Sequence, residues 1–296
     1  MVDNILYSII IPHKNIPDLL QRCLDSIPRR DDVQIIVVDD NSDSEIVDFK
    51  NFPGINDPYV EIYFTKKGKG AGYARNVGLE HAKGKWVLFA DADDWFLKNI
   101  SKTMNKYAHS GYDMLVFRTK RVDHIGNDVD NYFDVFFDEA IRKKNYEPIK
   151  YKYASVCGKF VKRQIITQNK IRFQEVKYAN DVMFSLKTSI VANQIKILED
   201  QIYCVFESEN SLTRNNYWQN YYVRTKIALG VCKYLKAIGD KYNYTPILFF
   251  FYHNLILSNK LVALYLLPSI CHFVGLKRIK SFFVEMLKKD YPKYFK

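Results

Sequence analysis

Residues 85–95, Lys-Trp-Val-Leu-Phe-Ala-Asp-Ala-Asp-Asp-Trp, run from an apolar segment straight into three acids, Asp91, Asp93 and Asp94. Carboxylates crowded this closely repel one another unless a cation lies among them, and hard divalent ions such as Mg²⁺ or Mn²⁺ prefer oxygen ligands. On spacing alone an acidic turn capping the next helix fits as well, so two readings stand at this point. A second acid pair, Asp39-Asp40, closes another apolar run, Val33–Val38. Acids at the carboxyl ends of buried strands stand where open α/β sheets place their ligands.

The elements that must hold these acids follow from periodicity. Tyr7–Pro12 is a β-branched run closed by proline, and reads as a buried first strand. After Pro17, Leu19, Leu20, Cys23, Leu24 and Ile27 recur at helical spacing until Pro28. Val33–Val38, Val60–Phe64 and Trp86–Ala90 read as further strands, and a helix spans Tyr73–Ala82. This βαβ alternation implies a mainly parallel sheet with helices on both faces, so that Asp39/Asp40 and Asp91/Asp93/Asp94 share one sheet edge. Met114–Thr119 is strand-like, Val122–Asp138 is a polar, acidic loop excursion, and Lys177–Phe184 is a loop entering another helix.

Lys67-Gly-Lys-Gly-Ala-Gly72 invites a dinucleotide-binding reading, which fails because Tyr73 occupies the third glycine position and the loop follows the third strand. A backbone that can approach a nucleotide remains open there. The five cysteines are scattered without a CxxC pair, which argues against a zinc site or disulfide framework and for a reducing compartment. The first residues show no basic-then-apolar leader, and the expectation is a cytoplasmic protein.

The motifs in order are Ile9-Ile-Ile-Pro-His-Lys-Asn15, Val37-Val-Asp-Asp-Asn-Ser42, Ala74-Arg-Asn76 with Gly78, and Phe89-Ala-Asp-Ala-Asp-Asp94. Cys157-Gly-Lys-Phe160, Asn180-Asp-Val-Met-Phe184 and Asn210-Ser-Leu-Thr-Arg214 follow. Together they resemble the family 2 glycosyltransferases of GT-A fold, of the type that builds bacterial surface polysaccharides. The resemblance covers about residues 5–215. It implies a catalytic GT-A domain at 1–215 and a helical region at 216–296.

It also implies an inverting transfer of a sugar from a nucleotide diphosphate, typically a UDP-sugar, to a hydroxyl of a glycan or lipid-linked acceptor. By the resemblance, Pro12, Asp40, Arg75 and Asp91 bind the nucleotide sugar, Asp40 through the base. Asp39 either holds its turn or touches the ligand directly, and Asn76 orders the loop. Asp93, with Asp94 as alternative or second ligand, holds a divalent metal (Mn²⁺ or Mg²⁺), and Asp181 is the general base, with a helix N-cap ahead of Val182-Met-Phe as the competing reading of that residue. The chain departs from the usual pattern at Asn180, where an acid is common, and at His13 and Lys14. Lys14 reads as a solvated loop lysine.

Two other readings compete. A sugar nucleotidyltransferase would want a glycine-rich phosphate loop after the first strand, where this chain has Pro12-His-Lys-Asn15. A non-catalytic, membrane-associated scaffold sits badly with Asp40, Asp91, Asp93 and Asp181.

The net charge of +11 is concentrated at one end: residues 216–296 carry 13 Lys/Arg against 3 Asp/Glu, whereas residues 1–215 carry 31 against 30. Aromatic residues gather there too, in Tyr217-Trp218, Tyr221-Tyr222 and Phe249–Tyr252. Two uncharged stretches, 242–259 and 261–276, are divided by Lys260 and interrupted by Pro246 and Pro268, so neither makes a comfortable span. Amphipathic or shallow helices are expected, with Lys277–Lys280 and Lys288-Lys289 facing anionic headgroups at the inner face of the cell membrane. The competing reading is an ordinary helical subdomain. Nucleic acid is excluded as a partner, because the charge is interleaved with long apolar runs that no solvated binding face needs.

Overall fold

Seven consecutive buried residues, Tyr7–His13, form strand β1, and seven more, Val33–Asp39, form β2. Continuous burial, with no polar alternation, marks strands covered on both faces. They pair in parallel with Ile10 opposite Ile36, while β4 (Trp86–Phe89) flanks β1 on its other side with Phe89 opposite Ile10. The third strand, β3 (Val60–Phe64), adds in parallel outside β2. In this half of the sheet all carboxyl ends face one edge, so the acids after β2 and after β4 lie on the same edge with β1 between them.

The computed structural model describes residues 5–207, 218–241, 247–248, 250–252 and 260–287. The chain divides into two compact units, Met1–Glu209 and Asn210–Lys296. The first is a mixed α/β unit whose eight-stranded sheet has the order β3-β2-β1-β4-β7-β6-β8-β5. Its other half comprises β5 (Trp95–Phe96), β6 (Met114–Asp123), β7 (Lys159–Lys162) and β8 (Ile195–Glu207). Strand β7 runs antiparallel to both β4 and β6, and β8 runs parallel to β6.

Helices α1 (Pro17–Asp25), α2 (Ala71–His81), α3 (Ile100–Tyr107), α4 (Asp134–Arg142), α5 (Glu147–Tyr151), α6 (Arg163–Gln168) and α7 (Val182–Val191) complete the unit. Leu20, Cys23 and Leu24 form the buried stripe of α1, as the spacing predicts.

Two sequence readings need correction. The stretch Val122–Asp138 is not one loop: β6 continues to Asp123, a turn follows with a bridge between Val122 and Asp128, and α4 begins at Asp134. Several of its acids serve basic residues of β6, Asp128 pairing with Lys120. Arg118 pairs with Asp138 at 2.5 Å and with Asp134 at 3.4 Å, while Phe137 between them is fully buried. The acids after β4 also do not lead directly into a helix. They are followed by β5, which pairs antiparallel with β8 and so brings Tyr203 and Phe206 to the acid turn.

The second unit contains α8 (Trp218–Ala237), α9 (Lys260–Val274, with Pro268 inside) and α10 (Leu276–Leu287). Among the described residues, no helix is long and apolar enough to cross a membrane. The Asn210–Arg214 motif and the Lys288-Lys289 pair lie outside the described residues.

Candidate active site

The turn after β2 is tied together internally. Asp39 is buried and accepts hydrogen bonds from the Ser42 amide (2.9 Å), the Ser42 hydroxyl (2.5 Å) and His13 Nδ1 (2.8 Å). The Ile16 amide points at His13 Nε2 (3.2 Å), so Nε2 accepts and Nδ1 carries the proton given to Asp39. Burial works to raise the Asp39 pKa, but the hydrogen bonds from His13 and Ser42 outweigh it and hold the carboxyl below its ordinary range. Of the two roles left open for Asp39, the turn-holding one matches these contacts.

Asp40 reaches the glycine loop instead. Its two carboxylate oxygens accept from the amides of Lys69 (3.0 Å) and Gly70 (2.6 Å). Gly70 has φ +93°, a conformation costly for any residue with a side chain, and this is what lets both amides turn toward one carboxylate. The glycine loop thus approaches Asp40, and each Asp40 oxygen keeps a second lone pair for another donor. Pro12 is buried in β1, opposite Val38. Lys14 is exposed, as a solvated loop lysine should be, and its Nζ also donates to the Asp40 carbonyl (3.1 Å), bracing the same turn.

Around the turn after β4 the organising group is Arg75, on α2. Its guanidinium is buried, donates through Nη2 to Asp91 Oδ1 (2.5 Å) and through Nη1 to Asn180 Oδ1 (2.7 Å), and stacks over Phe173. Burial opposes its charge, and the carboxylates of Asp91 and Asp181 are among the groups that hold the proton in place. Asn180 therefore gives Arg75 a neutral acceptor at a position where an acid would have added a second charge.

Asn76, the next residue, clamps the opposing chain with a pair of hydrogen bonds to the Phe173 backbone (3.0 and 2.8 Å). Gly72, one turn earlier, permits this approach, because a Cβ there would lie 2.2 Å from the Gln174 carbonyl oxygen. Asp181 caps the start of α7 by position, yet its side chain makes no cap hydrogen bond to the helix, as a simple N-cap role would require.

The three acids differ sharply. Asp94 is buried and held through both oxygens: Tyr203 Oη donates to Oδ2 (2.8 Å) and the Phe206 amide to Oδ1 (2.7 Å). Burial, then the charges of Asp93 and Asp91, push its pKa well above the carboxylate range. Asp93 is partly exposed, and burial followed by the Asp91 charge pushes it up to about 6 against the pull of Arg22 and Arg75. The Asp91 side chain is 42% exposed.

This crowd of mutually destabilised carboxylates is what a cation relieves, so the donor set fits a hard divalent ion, with Asp93 and Asp91 the accessible oxygens. Asp91, Asp94 and Cys157 also bring ligand atoms within 4.8 Å of one another. That inner trio is a poorer cation site: burial and the acids raise the Cys157 thiol well above its usual pKa, and Asp94 is buried with each oxygen already accepting a hydrogen bond.

Several residues of this network carry no signal in the sequence. Tyr203 accepts from the Asp91 amide (2.8 Å) while donating to Asp94, joining the two ends of the acid turn. Arg22, on α1, donates to the Asp93 carbonyl and lies sandwiched between Trp95 (4.4 Å) and Phe206 (4.5 Å).

A sequence profile described as Glycosyl transferase family 2 matches residues 8–174. Among similar proteins, the poly(ribitol-phosphate) beta-N-acetylglucosaminyltransferase TarS of Staphylococcus aureus is 28% identical over 207 residues. The match covers 67% of this chain and 35% of that protein. A poly(ribitol-phosphate) beta-glucosyltransferase of Bacillus spizizenii is also 28% identical, over 66% of this chain and 31% of its own length. The chain thus spans about a third of these relatives.

The crystal structure of S. aureus TarS residues 1–349 with UDP-GlcNAc superposes with a TM-score of 0.64 at 22% identity, over 92% of this chain and 77% of that one. A Pyrobaculum calidifontis mannosyltransferase with GDP-Man and Mn²⁺ superposes at 0.52 and 17% identity, over 97% and 81%. These likenesses establish the GT-A fold. With a matching profile over more than half its length, this chain belongs to glycosyl transferase family 2.

Proposed function

We propose that the protein is an inverting, metal-dependent glycosyltransferase that moves a sugar from a UDP-sugar to an acceptor hydroxyl. The observation that carries this reading is the Arg75 bridge. One buried guanidinium ties Asp91, at the acid turn, to the residue just before Asp181, so a diphosphate-side site and a candidate base are held by one group. The UDP-GlcNAc complex of TarS supports the donor class.

Transfer breaks the bond between the anomeric carbon and the diphosphate oxygen, and forms one to the acceptor oxygen on the opposite face. Asp181 accepts the acceptor proton as that bond forms, which makes the hydroxyl a competent nucleophile. A single displacement inverts the anomeric centre. Asp93, with Asp91 beside it, would hold the divalent ion, which when bound would supply positive charge to stabilise the diphosphate leaving group. Asp94 keeps the turn in shape through Tyr203 and Phe206. Arg75 keeps Asp91 and the entry to α7 in register, and Asp40, next to Pro12 at the ends of β1 and β2, reads the base.

The acceptor is a hydroxyl of a glycan, polyol-phosphate or lipid-linked chain in surface-polysaccharide synthesis, a class supported by the relatives' names, among them a Campylobacter jejuni GalNAc(5)-diNAcBac-PP-undecaprenol beta-1,3-glucosyltransferase. The two domains are 1–215 and 216–296. The second rests on anionic lipid at the cytoplasmic face of the membrane, a reading supported by Arg224, Lys226, Lys233 and Lys236 on α8 and Lys277, Arg278 and Lys280 on α10. Flotation with anionic liposomes tests this placement; protein left at the bottom of the gradient at moderate salt contradicts it.

A panel of nucleotide sugars with Mn²⁺ or Mg²⁺, read by thermal shift and donor hydrolysis, tests the activity. One UDP-sugar stabilising and turning over with the metal is expected; no metal-dependent nucleotide binding contradicts the reading.

A further inference from the structure

A buried ammonium lies behind the candidate base, and nothing in the proposed chemistry uses it. Lys159, at the start of β7, is 3% exposed. Its Nζ donates to the Tyr153 carbonyl (3.1 Å) and to Ser185 Oγ (3.3 Å), and lies 4.7 Å from the Tyr153 ring centroid. The Ser185 hydroxyl in turn donates a hydrogen bond to the Ala154 carbonyl (2.5 Å). The lysine thus fastens the loop before β7 to the first turn of α7.

Ser185 and Asp181 are four residues apart on that helix, and the Ser185 amide donates to the Asp181 carbonyl (2.8 Å). Lys159 therefore stands beneath the turn that carries Asp181. Its hydrogen-bond partners are both neutral, and a buried lysine without a touching carboxylate is costly. An apolar residue would pack there at less cost, so the charge needs a reason.

We propose that Lys159 is a positioning residue for Asp181: its ammonium anchors the first turn of α7 and, by its charge, keeps the Asp181 carboxyl ionised and ready to accept a proton. This rests on the reading of Asp181 as the base. The titratable groups around the pair are Arg75 on α2, which faces Asp181 as well as Asp91, and the neutral thiol of Cys157 two residues before Lys159. Burial pulls the Lys159 pKa down to about 7, while Asp181 is the leading charge that resists the fall. Below that pH the lysine is cationic, so its effect falls on the acid side of the activity profile.

The test is the pH dependence of kcat/KM for UDP-GlcNAc hydrolysis with Mn²⁺, between about pH 5 and 9, in the full-length protein. Lys159→Gln keeps a short polar donor without charge, and Lys159→Met keeps the shape. Both are expected to move the acid limb up by about one pH unit, which lowers the rate about tenfold at pH values well down the limb, with UDP-GlcNAc binding within about twofold of wild type. Lys159→Arg, which retains the charge, is expected to keep the wild-type limb.

A purely structural lysine would lower the melting temperature and leave the limb in place. An unmoved limb in a folded Lys159→Gln or Lys159→Met protein overturns the proposal. Asp181→Asn, run alongside, separates the two claims: wild-type hydrolysis by that variant removes the base assignment itself, whereas its loss together with an unmoved Lys159 limb removes only the role of Lys159.

Discussion

The acids after β2 and the acids after β4 occupy the same sheet edge with one strand between them, and the protein treats them in opposite ways. Asp39 is met by His13 and Ser42, and Asp40 by the amides of Lys69 and Gly70, so this pair is balanced within the fold. Asp93 and Asp94 are pushed upward in pKa by burial and by each other's neighbourhood, with Asp91 tethered to one arginine. Two acid clusters that look alike as sequence are therefore a finished turn and an unfinished electrostatic site. The second calls for a cation, and it is the one that Arg75 connects to Asp181.

The contrast can be broken in graded ways. The largest expected effect is at Asp181: Asp181→Asn lowers transfer about 10³-fold while donor binding stays within about twofold, as removal of a general base should. Transfer at the wild-type rate by a folded variant rules the assignment out.

Arg75→Met comes next. It strands Asp91 and Asn180 together, but Asp91 is 42% exposed and partly screened, so the expected stability loss is about 2–3 kcal/mol rather than that of a wholly buried pair. Chemical denaturation measures it, and a loss below about 0.5 kcal/mol contradicts the bridging role.

Asp39→Asn replaces a charged acceptor of three hydrogen bonds and is expected to cost about 1–3 kcal/mol with cation-dependent donor binding retained. A stable variant that has lost donor binding would move Asp39 from the turn to the ligand.

The smallest effect is one of pH. Because the Asp93 pKa is raised to about 6, the folded protein takes up a proton there as pH falls through 6, where an unfolded chain does not until lower pH. Mn²⁺ affinity should accordingly be flat above about pH 7 and weaken below 6. Affinity unchanged down to about pH 5 would mean that Asp93 is not a ligand.

Much of this half of the sheet was legible from residue order. Ile9–Ile11 and Ile35–Val38 could only be strands covered on both faces, and proline or acids mark their ends. The acids stood out because they end apolar runs, whereas Arg75 and Asp181 were marked only by the motifs of the family resemblance. What stayed hidden are pairings across long sequence separations. Tyr203 meets Asp94 from 109 positions away, and Arg22 reaches the Asp93 carbonyl from 71. Neither the alternation of β8 nor the stripe of α1 requires those partners. The acids of Val122–Asp138 misled for a related reason: a carboxylate that serves a distant arginine looks in sequence like one that serves water. Lys159 sits inside a matched motif, but only the fold reveals that its ammonium lies beneath α7.

The central claim is that the acids after β4, and not those after β2, make donor binding depend on a cation. Calorimetric titration of UDP-GlcNAc into wild type, Asp93→Asn and Asp39→Asn, with and without Mn²⁺, tests it directly. The account predicts that Mn²⁺ tightens binding at least about tenfold in wild type and Asp39→Asn, and has no effect in Asp93→Asn. An Mn²⁺ response that survives in Asp93→Asn and vanishes in Asp39→Asn would contradict it.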